Sequence, residues 1–433
     1  GTVKNSEEVF QNVPKCSVIS WTALISSYVE GGQGKKALQA FLEMHGEGMD
    51  PNQQTFVSAL QACCILEETN EGIIFEEKYI FSEIGLSLHT DAQKKFYVLD
   101  AFVMTTLVGM YGNHLAFAES ENVFSRLPQH TILQWNAMLS TYVEQGEGMK
   151  ALLCYRQLIQ EGLCPNQGTF VVVVQACTTI LENDEICATT EVQLTKEKVH
   201  EIGRALHADL RKAGFASDLF VGTTLVSMYG KCGTFVEAES VFYGLSEYNT
   251  VSWNAMLSAY ADQGQGEKAL RLYQQFEKKR VVMNDVTTIC VLQACSEIGC
   301  LEMCQHLHFL ISYAGYDSRI FVVSSLINAY GCCASRVHAV AVFSGMSKPD
   351  LVSWNACIAG YAYEGNFLGC FQVFERMQFT GVTADCVTML SILYACSHDG
   401  KVNEGLKYFE LITTQCSLYP DLKHYVALLD LFG

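Results

Sequence analysis

The sequence predicts an all-α protein, an α-solenoid or superhelix of stacked helical hairpins, on three observations. All four tryptophans share one context: Ser20-Trp21-Thr22-Ala23, Gln134-Trp135-Asn136-Ala137, Ser252-Trp253-Asn254-Ala255 and Ser353-Trp354-Asn355-Ala356, with 114, 118 and 101 residues between successive tryptophans. Apolar residues within one unit keep the helical period: Trp21, Leu24, Ile25 and Tyr28 fall at i, i+3, i+4 and i+7, and Ala37, Phe41 and Met44 continue it. Gly31-Gly32 separates the two runs and Asp50-Pro51-Asn52 ends the second, because neither sequence favours helix continuation. A two-helix unit cannot bury its own apolar stripe, so such units must stack on their neighbours.

Taken in order, residues 1–17 form a partial repeat, followed by eleven full repeats at 18–52, 53–100, 101–131, 132–166, 167–218, 219–249, 250–284, 285–319, 320–350, 351–385 and 386–421, and a partial repeat at 422–433. Three unit types alternate. The Trp units have 35 residues, for example Val18 to Asn52. The second type carries Gln-Ala-Cys (Cys63, Cys177, Cys295; Tyr-Ala-Cys396 in the last) and a later Leu-His (His89, His207, His308). The third has 31 residues, with Tyr-Gly at Tyr111, Tyr229 and Tyr330 and then Ala-x-x-Val-Phe. The cycle is therefore 101 residues, the bare length of the third gap. The first two gaps exceed it by 13 and 17 residues, inside the Gln-Ala-Cys units.

These excesses coincide with acidic insertions. Residues 67–83 hold six acids and one lysine, and residues 182–201 six acids and two lysines, half of the formal charge of −18. They are expected as surface loops or extra helices that project from the solenoid. Hydrophobic residues make up 49% of the chain and aromatic residues 11%, which suits a core running its whole length. No apolar run reaches the ~20 residues of a membrane span; Phe170 to Val174 reads as a helix start. No membrane insertion is expected, and a targeting segment, where one exists, would lie outside these residues.

Several motifs invite chemistry and receive a structural reading. Gly32-x-Gly34-Lys35, Gly146-x-Gly148 and Gly264-x-Gly266 resemble phosphate loops, but no strand precedes them and Lys36 stands where Ser or Thr is needed, so they read as turns. Nineteen cysteines would mean disulfides in a small secreted protein. Here Cys63, Cys177, Cys295 and Cys396 recur with the tryptophans' spacing, too far apart in a stack to share a bond or a zinc ion, and read as small buried thiols. His306-x-His308 points its rings apart on a helix, no Cys-x-x-Cys occurs, and the combined His-x-Glu and Cys-x-x-Cys pattern of nucleobase deaminases is therefore absent. No catalytic centre, metal site or cofactor is expected.

The ordered three-unit cycle, with Ser-Trp-Asn-Ala, Gln-Ala-Cys and Met228 to Gly233 (Met-Tyr-Gly-Lys-Cys-Gly) as landmarks, resembles the pentatricopeptide repeat family, PLS class. The unit Cys386 to Asp421 resembles the variant that closes such arrays, and no C-terminal editing domain follows it in this chain. The resemblance implies sequence-specific binding of single-stranded RNA in a mitochondrion or chloroplast, in RNA processing, editing-site recognition, stabilisation or translation, without catalysis by the chain itself. It further implies one base per reading unit, selected by the fifth and last residues.

By that pattern Thr22 with Asn52 selects adenine, Thr105 with Thr131 a purine, Asn136 with Asn166 a pyrimidine, and Thr223 with Asn249 adenine. Asn254 with Asn284 selects a pyrimidine, Ser324 with Asp350 guanine, and Asn355 with Asp385 uracil. The Gln-Ala-Cys units carry Val57, Val171, Ile289 and Leu390 at the fifth position and cannot hydrogen-bond a base. The second residues, Ile19, Phe102, Leu133, Phe220, Val251, Phe321 and Val352, would wedge between bases. Lys231 would sit near phosphate, whereas Glu30, Glu144, Asp262 and Tyr363 occupy the same thirteenth position in the Trp units. The alternative is a protein–protein scaffold, a subunit docking through its acidic insertions with other protein subunits of a large organellar complex.

Overall fold

The computed structural model describes residues 2–12, 16–68, 75–113, 117–126, 130–182, 196–279, 281–346, 348–363, 365–414 and 420–432. They fold as α-helices joined by short turns, with no strand among the described residues. None of these helices is long and apolar enough to cross a membrane. The chain divides into two compact units, residues 1–216 and 217–433.

The first unit contains α1 (Thr2–Gln11), α2 (Val18–Glu30), α3 (Gly34–Gly46), α4 (Gln53–Glu68), α5 (Phe75–Lys94), α6 (Ala101–Asn113), α7 (Phe117–Ser125), α8 (Ile132–Glu144), α9 (Gly148–Gln160), α10 (Gln167–Glu182) and α11 (Lys196–Ala213). Each even-numbered helix opens a hairpin and packs on the next one to do so: α2 on α4, α4 on α6, α6 on α8 and α8 on α10.

The second unit repeats the scheme with α12 (Leu219–Cys232), α13 (Phe235–Tyr243), α14 (Thr250–Ala261), α15 (Gly266–Lys278), α16 (Asp285–Ile298), α17 (Leu301–Ala314), α18 (Ile320–Cys332), α19 (Arg336–Gly345), α20 (Leu351–Tyr363), α21 (Phe367–Phe379), α22 (Cys386–Asp399), α23 (Val402–Thr414) and α24 (Leu422–Phe432). Again the opening helices α12 to α24 form one side-by-side layer, with closing helices such as α15 and α21 lying against their own and the following opening helix.

Glycine sets the closeness of this layer. A Cβ on Gly112 would lie 2.5 Å from Thr141 Oγ1, and one on Gly230 would run into Ala259 Cβ. These are the glycines of the Tyr-Gly landmark. The Gly-x-Gly motifs are turns that end in a close approach. Gly32, Gly146 and Gly264 adopt φ of 67°, 80° and 67°. Gly34, Gly148 and Gly266 then start the closing helix so near the next hairpin that a Cβ would meet the Ala62, Ala176 and Ala294 carbonyls at 2.7, 2.6 and 2.9 Å. Those alanines belong to Gln-Ala-Cys, so the two motifs are halves of one interface.

The four tryptophans anchor the core. Each lies edge-on to a phenylalanine of the hairpin before it: Phe10–Trp21 at 4.6 Å, Phe124–Trp135 at 4.9 Å, Phe242–Trp253 at 5.2 Å and Phe343–Trp354 at 4.9 Å between ring centroids. All four rings are buried, and among the described residues none of their indole N–H groups has an acceptor. Cys63, Cys177, Cys295 and Cys396 are fully buried thiols, none of them in a disulfide, and burial pushes the pKa of Cys295 and Cys396 up to about 12. The Leu-His and Tyr-Gly landmarks also satisfy each other: His89 Nδ1 lies 2.7 Å from the Tyr111 hydroxyl and His308 Nδ1 2.9 Å from that of Tyr330.

Much of the two acidic insertions, including 69–74 and 183–195, lies outside the described residues. Part of the extra length is helix. α5 has 20 residues and α11 has 18, against 14 in the equivalent α17.

Two stability experiments follow from this core. Because the indole N–H is unpaired, Trp253→Phe should cost about 1 kcal/mol while Trp253→Ala costs about 3–5 kcal/mol in urea unfolding; equal losses would contradict the packing account. Burial holds the His89 and His308 imidazoles below the ordinary histidine pKa. The unfolded chain then binds more protons near its own histidine pKa, so stability is complete above about pH 6.5 and declines as pH falls below it. The thermal midpoint should drop on acidification from about pH 7.5 to 5.5, less steeply in His308→Gln; a midpoint that rises on acidification excludes this linkage.

Candidate nucleic-acid interface

A helix leaves its first backbone N–H groups without partners, and an Asn, Asp or Ser side chain just before it supplies an acceptor. The last residue of each Trp unit does this for the following opening helix. Asn284 Oδ1 accepts from Thr287 N at 3.0 Å, and Asp385 Oδ1 from Thr388 N at 2.8 Å. Asn52 and Asn166 cap α4 and α10 in the same way, through Thr55 N and Thr169 N, each at 2.9 Å. A backbone N–H can only donate, so the atom turned toward the helix is oxygen and the outer atom of each asparagine is the Nδ2 amide nitrogen.

The same inner oxygen meets the fifth residue. Asn136 Nδ2 donates to Asn166 Oδ1 at 3.1 Å, Asn254 Nδ2 to Asn284 Oδ1 at 2.9 Å, and Asn355 Nδ2 to Asp385 Oδ1 at 3.0 Å. In two other units a hydroxyl relays the link. Thr22 Oγ1 lies 2.7 Å from Thr55 Oγ1, which donates to Asn52 Oδ1 at 2.9 Å. Ser324 Oγ lies 2.9 Å from Ser353 Oγ, which hydrogen-bonds Asp350 Oδ1. The two remaining pairs are not joined by a hydrogen bond among the described residues: Thr105 donates to the Ala101 carbonyl at 2.6 Å and Thr223 to that of Leu219 at 2.7 Å. Thr131 is instead held by Gln134 Oε1 at 2.8 Å, and Asn249 Oδ1 accepts from Ser252 N at 2.8 Å.

Burial divides the sequence-derived site. Thr22, Asn254, Ser324 and Asn355 are each less than a tenth exposed, whereas Thr105, Asn136 and Thr223 are half-buried. The apolar second residues are the reverse: Ile19, Phe102, Leu133, Phe220, Val251, Phe321 and Val352 are 48–78% exposed. They form a set of large, exposed apolar side chains that recurs with the unit length. Val57 is buried, and Val171, Ile289 and Leu390 are half-buried.

Lys231 is half-buried; desolvation lowers its pKa while the nearby Asp262 carboxylate pulls it back up. Glu30, Glu144, Asp262 and Tyr363 are exposed. Among the described residues no three His, Cys, Asp or Glu side chains come together in a way that could hold a metal ion. Sequence reasoning missed Thr55, Thr169, Thr287, Thr388 and Ser353, although Asn or Asp followed three residues later by Ser or Thr is a capping signal.

The model described as the PPR repeat family matches residues 17–65 and 248–297, and that of the PPR repeat matches 135–163, 223–249 and 352–382. The chain belongs to the pentatricopeptide repeat family. Similar curated proteins of Arabidopsis thaliana include pentatricopeptide repeat-containing protein At5g27110, 30% identical over 99% of this chain and 58% of its own length, and At1g03540, 30% identical over 100% and 65%. Pentatricopeptide repeat-containing protein CRR2, chloroplastic, is 31% identical over 96% of this chain and 59% of its own length. The chain thus spans between half and two thirds of these relatives.

Among solved structures, the pentatricopeptide repeat protein PPR10 from maize aligns with a TM-score of 0.52 at 18% identity, over 98% of this chain and 62% of that one. PPR10 in complex with an 18-nt psaJ RNA element aligns with a TM-score of 0.52 at 17% identity, over 100% of this chain and 74% of that one. The shared fold is the α-solenoid of pentatricopeptide repeats.

Since the last residues of these repeats are helix caps, Asn284→Ala should lower stability by about 1 kcal/mol in urea unfolding, with Asn284→Asp close to neutral. Equal losses for the two substitutions would show that the inner oxygen does not cap α16.

Proposed function

We propose that this array binds single-stranded RNA in an organelle, one base per reading unit, as a PLS-class protein of RNA processing, editing-site recognition, stabilisation or translation, without catalysis of its own. The observation that carries the proposal is the inner oxygen of the last residue. Engaged by a helix N–H, and in five of the seven pairs linked to the fifth residue directly or through a hydroxyl, it leaves the outer atom for a base. With Asn52, Asn166, Asn249 and Asn284 that atom is an amide donor, which complements the ring-nitrogen acceptor of adenine or cytosine. With Asp350 and Asp385 it is a carboxylate acceptor, which complements the ring N–H of guanine or uracil. Elementary base chemistry thereby separates the letters that the family pattern assigns, and the fifth residue divides purine from pyrimidine.

The exposed second residues give each base an apolar surface to stack on, worth about 1–3 kcal/mol for an aromatic one. Support of a different kind comes from the relatives: PPR10 was crystallised with an RNA element, and CRR2 is named as chloroplastic. The exposed Glu30, Glu144 and Asp262 favour weak phosphate contact and hence a shallow dependence of affinity on salt, with Lys231 the candidate cation. They also favour the scaffold reading, in which no RNA is held.

The test is a single atom. Asp385→Asn keeps the helix cap and turns the outer acceptor into a donor, so preference at that nucleotide should move from uracil to cytosine by about tenfold, read as Kd ratios on RNAs differing at one base. Retention of uracil preference, or absence of RNA binding by the unaltered protein at low salt, would overturn the proposal, and the latter would favour the scaffold.

A further inference from the structure

Resting on that reading, we propose that the threonine three residues beyond each asparagine-linked pair, Thr169, Thr287 and Thr388, is a positioning residue that fixes the fifth asparagine's amide and thereby its base preference. The proton inventory leads there. A carboxamide oxygen has two lone pairs. Asn284 Oδ1 fills both, with Thr287 N at 3.0 Å and Asn254 Nδ2 at 2.9 Å. The Thr287 hydroxyl has one proton to place and two oxygens in range, Asn284 Oδ1 at 2.9 Å and Asn254 Oδ1 at 2.7 Å. Only the second has room, and it is the nearer.

The preference recurs in all three units. Thr169 Oγ1 is 2.7 Å from Asn136 Oδ1 against 3.0 Å from Asn166 Oδ1, and Thr388 Oγ1 is 2.5 Å from Asn355 Oδ1 against 2.8 Å from Asp385 Oδ1. Each hydroxyl also accepts from the backbone N–H of the last residue, at 3.2 Å for Asn166 and for Asp385 and 3.4 Å for Asn284, so it is oriented as a donor toward the fifth residue. All three threonines are fully buried.

The consequence is a carboxamide that cannot turn over. Reversing Asn254 would place its oxygen against Asn284 Oδ1 with no proton between them and would point an N–H group at a hydroxyl already accepting one. Held as it is, Asn254 offers its second Nδ2 proton, a donor suited to the carbonyl that both pyrimidines carry. A reversed amide would offer an acceptor, which suits the exocyclic amino group of adenine. In the Thr22 and Ser324 units the equivalent hydroxyls, on Thr55 and Ser353, meet another hydroxyl instead, which can donate or accept by rotating and so imposes no such polarity.

The test uses the whole chain and RNAs with cytosine or adenine at the nucleotide facing Asn254. Thr287→Val replaces the hydroxyl with a methyl group of the same size, and Thr287→Ser retains it. The adenine-to-cytosine ratio of Kd values should fall about tenfold in Thr287→Val, stay near the unaltered value in Thr287→Ser, and remain unchanged in both at the nucleotide facing Asn136. If Thr287→Val weakens binding to both RNAs equally and leaves the ratio intact, the threonine only caps α16 and the inference is wrong. If the unaltered protein shows no ratio at all, the reading under which the inference was drawn fails with it.

Discussion

One oxygen atom per Trp unit closes the first turn of the next hairpin and holds the residue that would face a base. Asn166, Asn284 and Asp385 each place Oδ1 where a helix N–H and a side-chain amide converge. The choice of residue at this point is therefore limited to side chains that cap helices, and within that limit the outer atom is free to be a donor or an acceptor. In the proposed function, folding and selection draw on opposite ends of the same side chain. That is how a stack of nearly identical hairpins can differ at the surface without differing in its core.

The rest of the stack keeps that oxygen in place. The opening helices lie close because Gly112 and Gly230 carry no Cβ, and the hairpins key together where Gly34, Gly148 and Gly266 meet the Gln-Ala-Cys carbonyls. Paired rings of tryptophan and phenylalanine fill the space between successive hairpins. Motifs that could suggest phosphate loops, metal sites or reactive thiols are taken up by this packing: the glycines by turns, His89 and His308 by tyrosine hydroxyls, and Cys63, Cys177, Cys295 and Cys396 by full burial. What packing does not use are the large apolar residues at the second positions.

The fold was legible because every hairpin repeats its punctuation. Asp50-Pro51-Asn52 and Gly31-Gly32 stop helices for local reasons, and α2 to α4 begin and end around them. The same unit length brings the fifth residue of one helix to the cap of the next in five of the seven pairs, directly or through a hydroxyl. The surroundings of these pairs were not legible. Nothing local distinguishes Asn254, almost buried, from Asn136, half-buried, because exposure depends on the neighbouring hairpins. Thr287 has the sequence context of an ordinary helix residue, and only the folded chain sets its hydroxyl between two carboxamides. The added length in the Gln-Ala-Cys units is expected as surface loops or extra helices, and part of it lengthens α5 and α11.

The central claim is that outer atoms alternate between donor, acceptor and aliphatic silence along the chain. Incubating the protein with a pool of randomised RNA and sequencing the retained molecules tests it in one measurement. The account requires enrichment in the order adenine, silent, purine, pyrimidine, silent, adenine, pyrimidine, silent, guanine, uracil from the 5′ end, with the silent columns facing Val57, Val171 and Ile289. Enrichment at those three columns, or guanine opposite the asparagine pairs, or adenine or cytosine opposite Asp350 and Asp385, would contradict it.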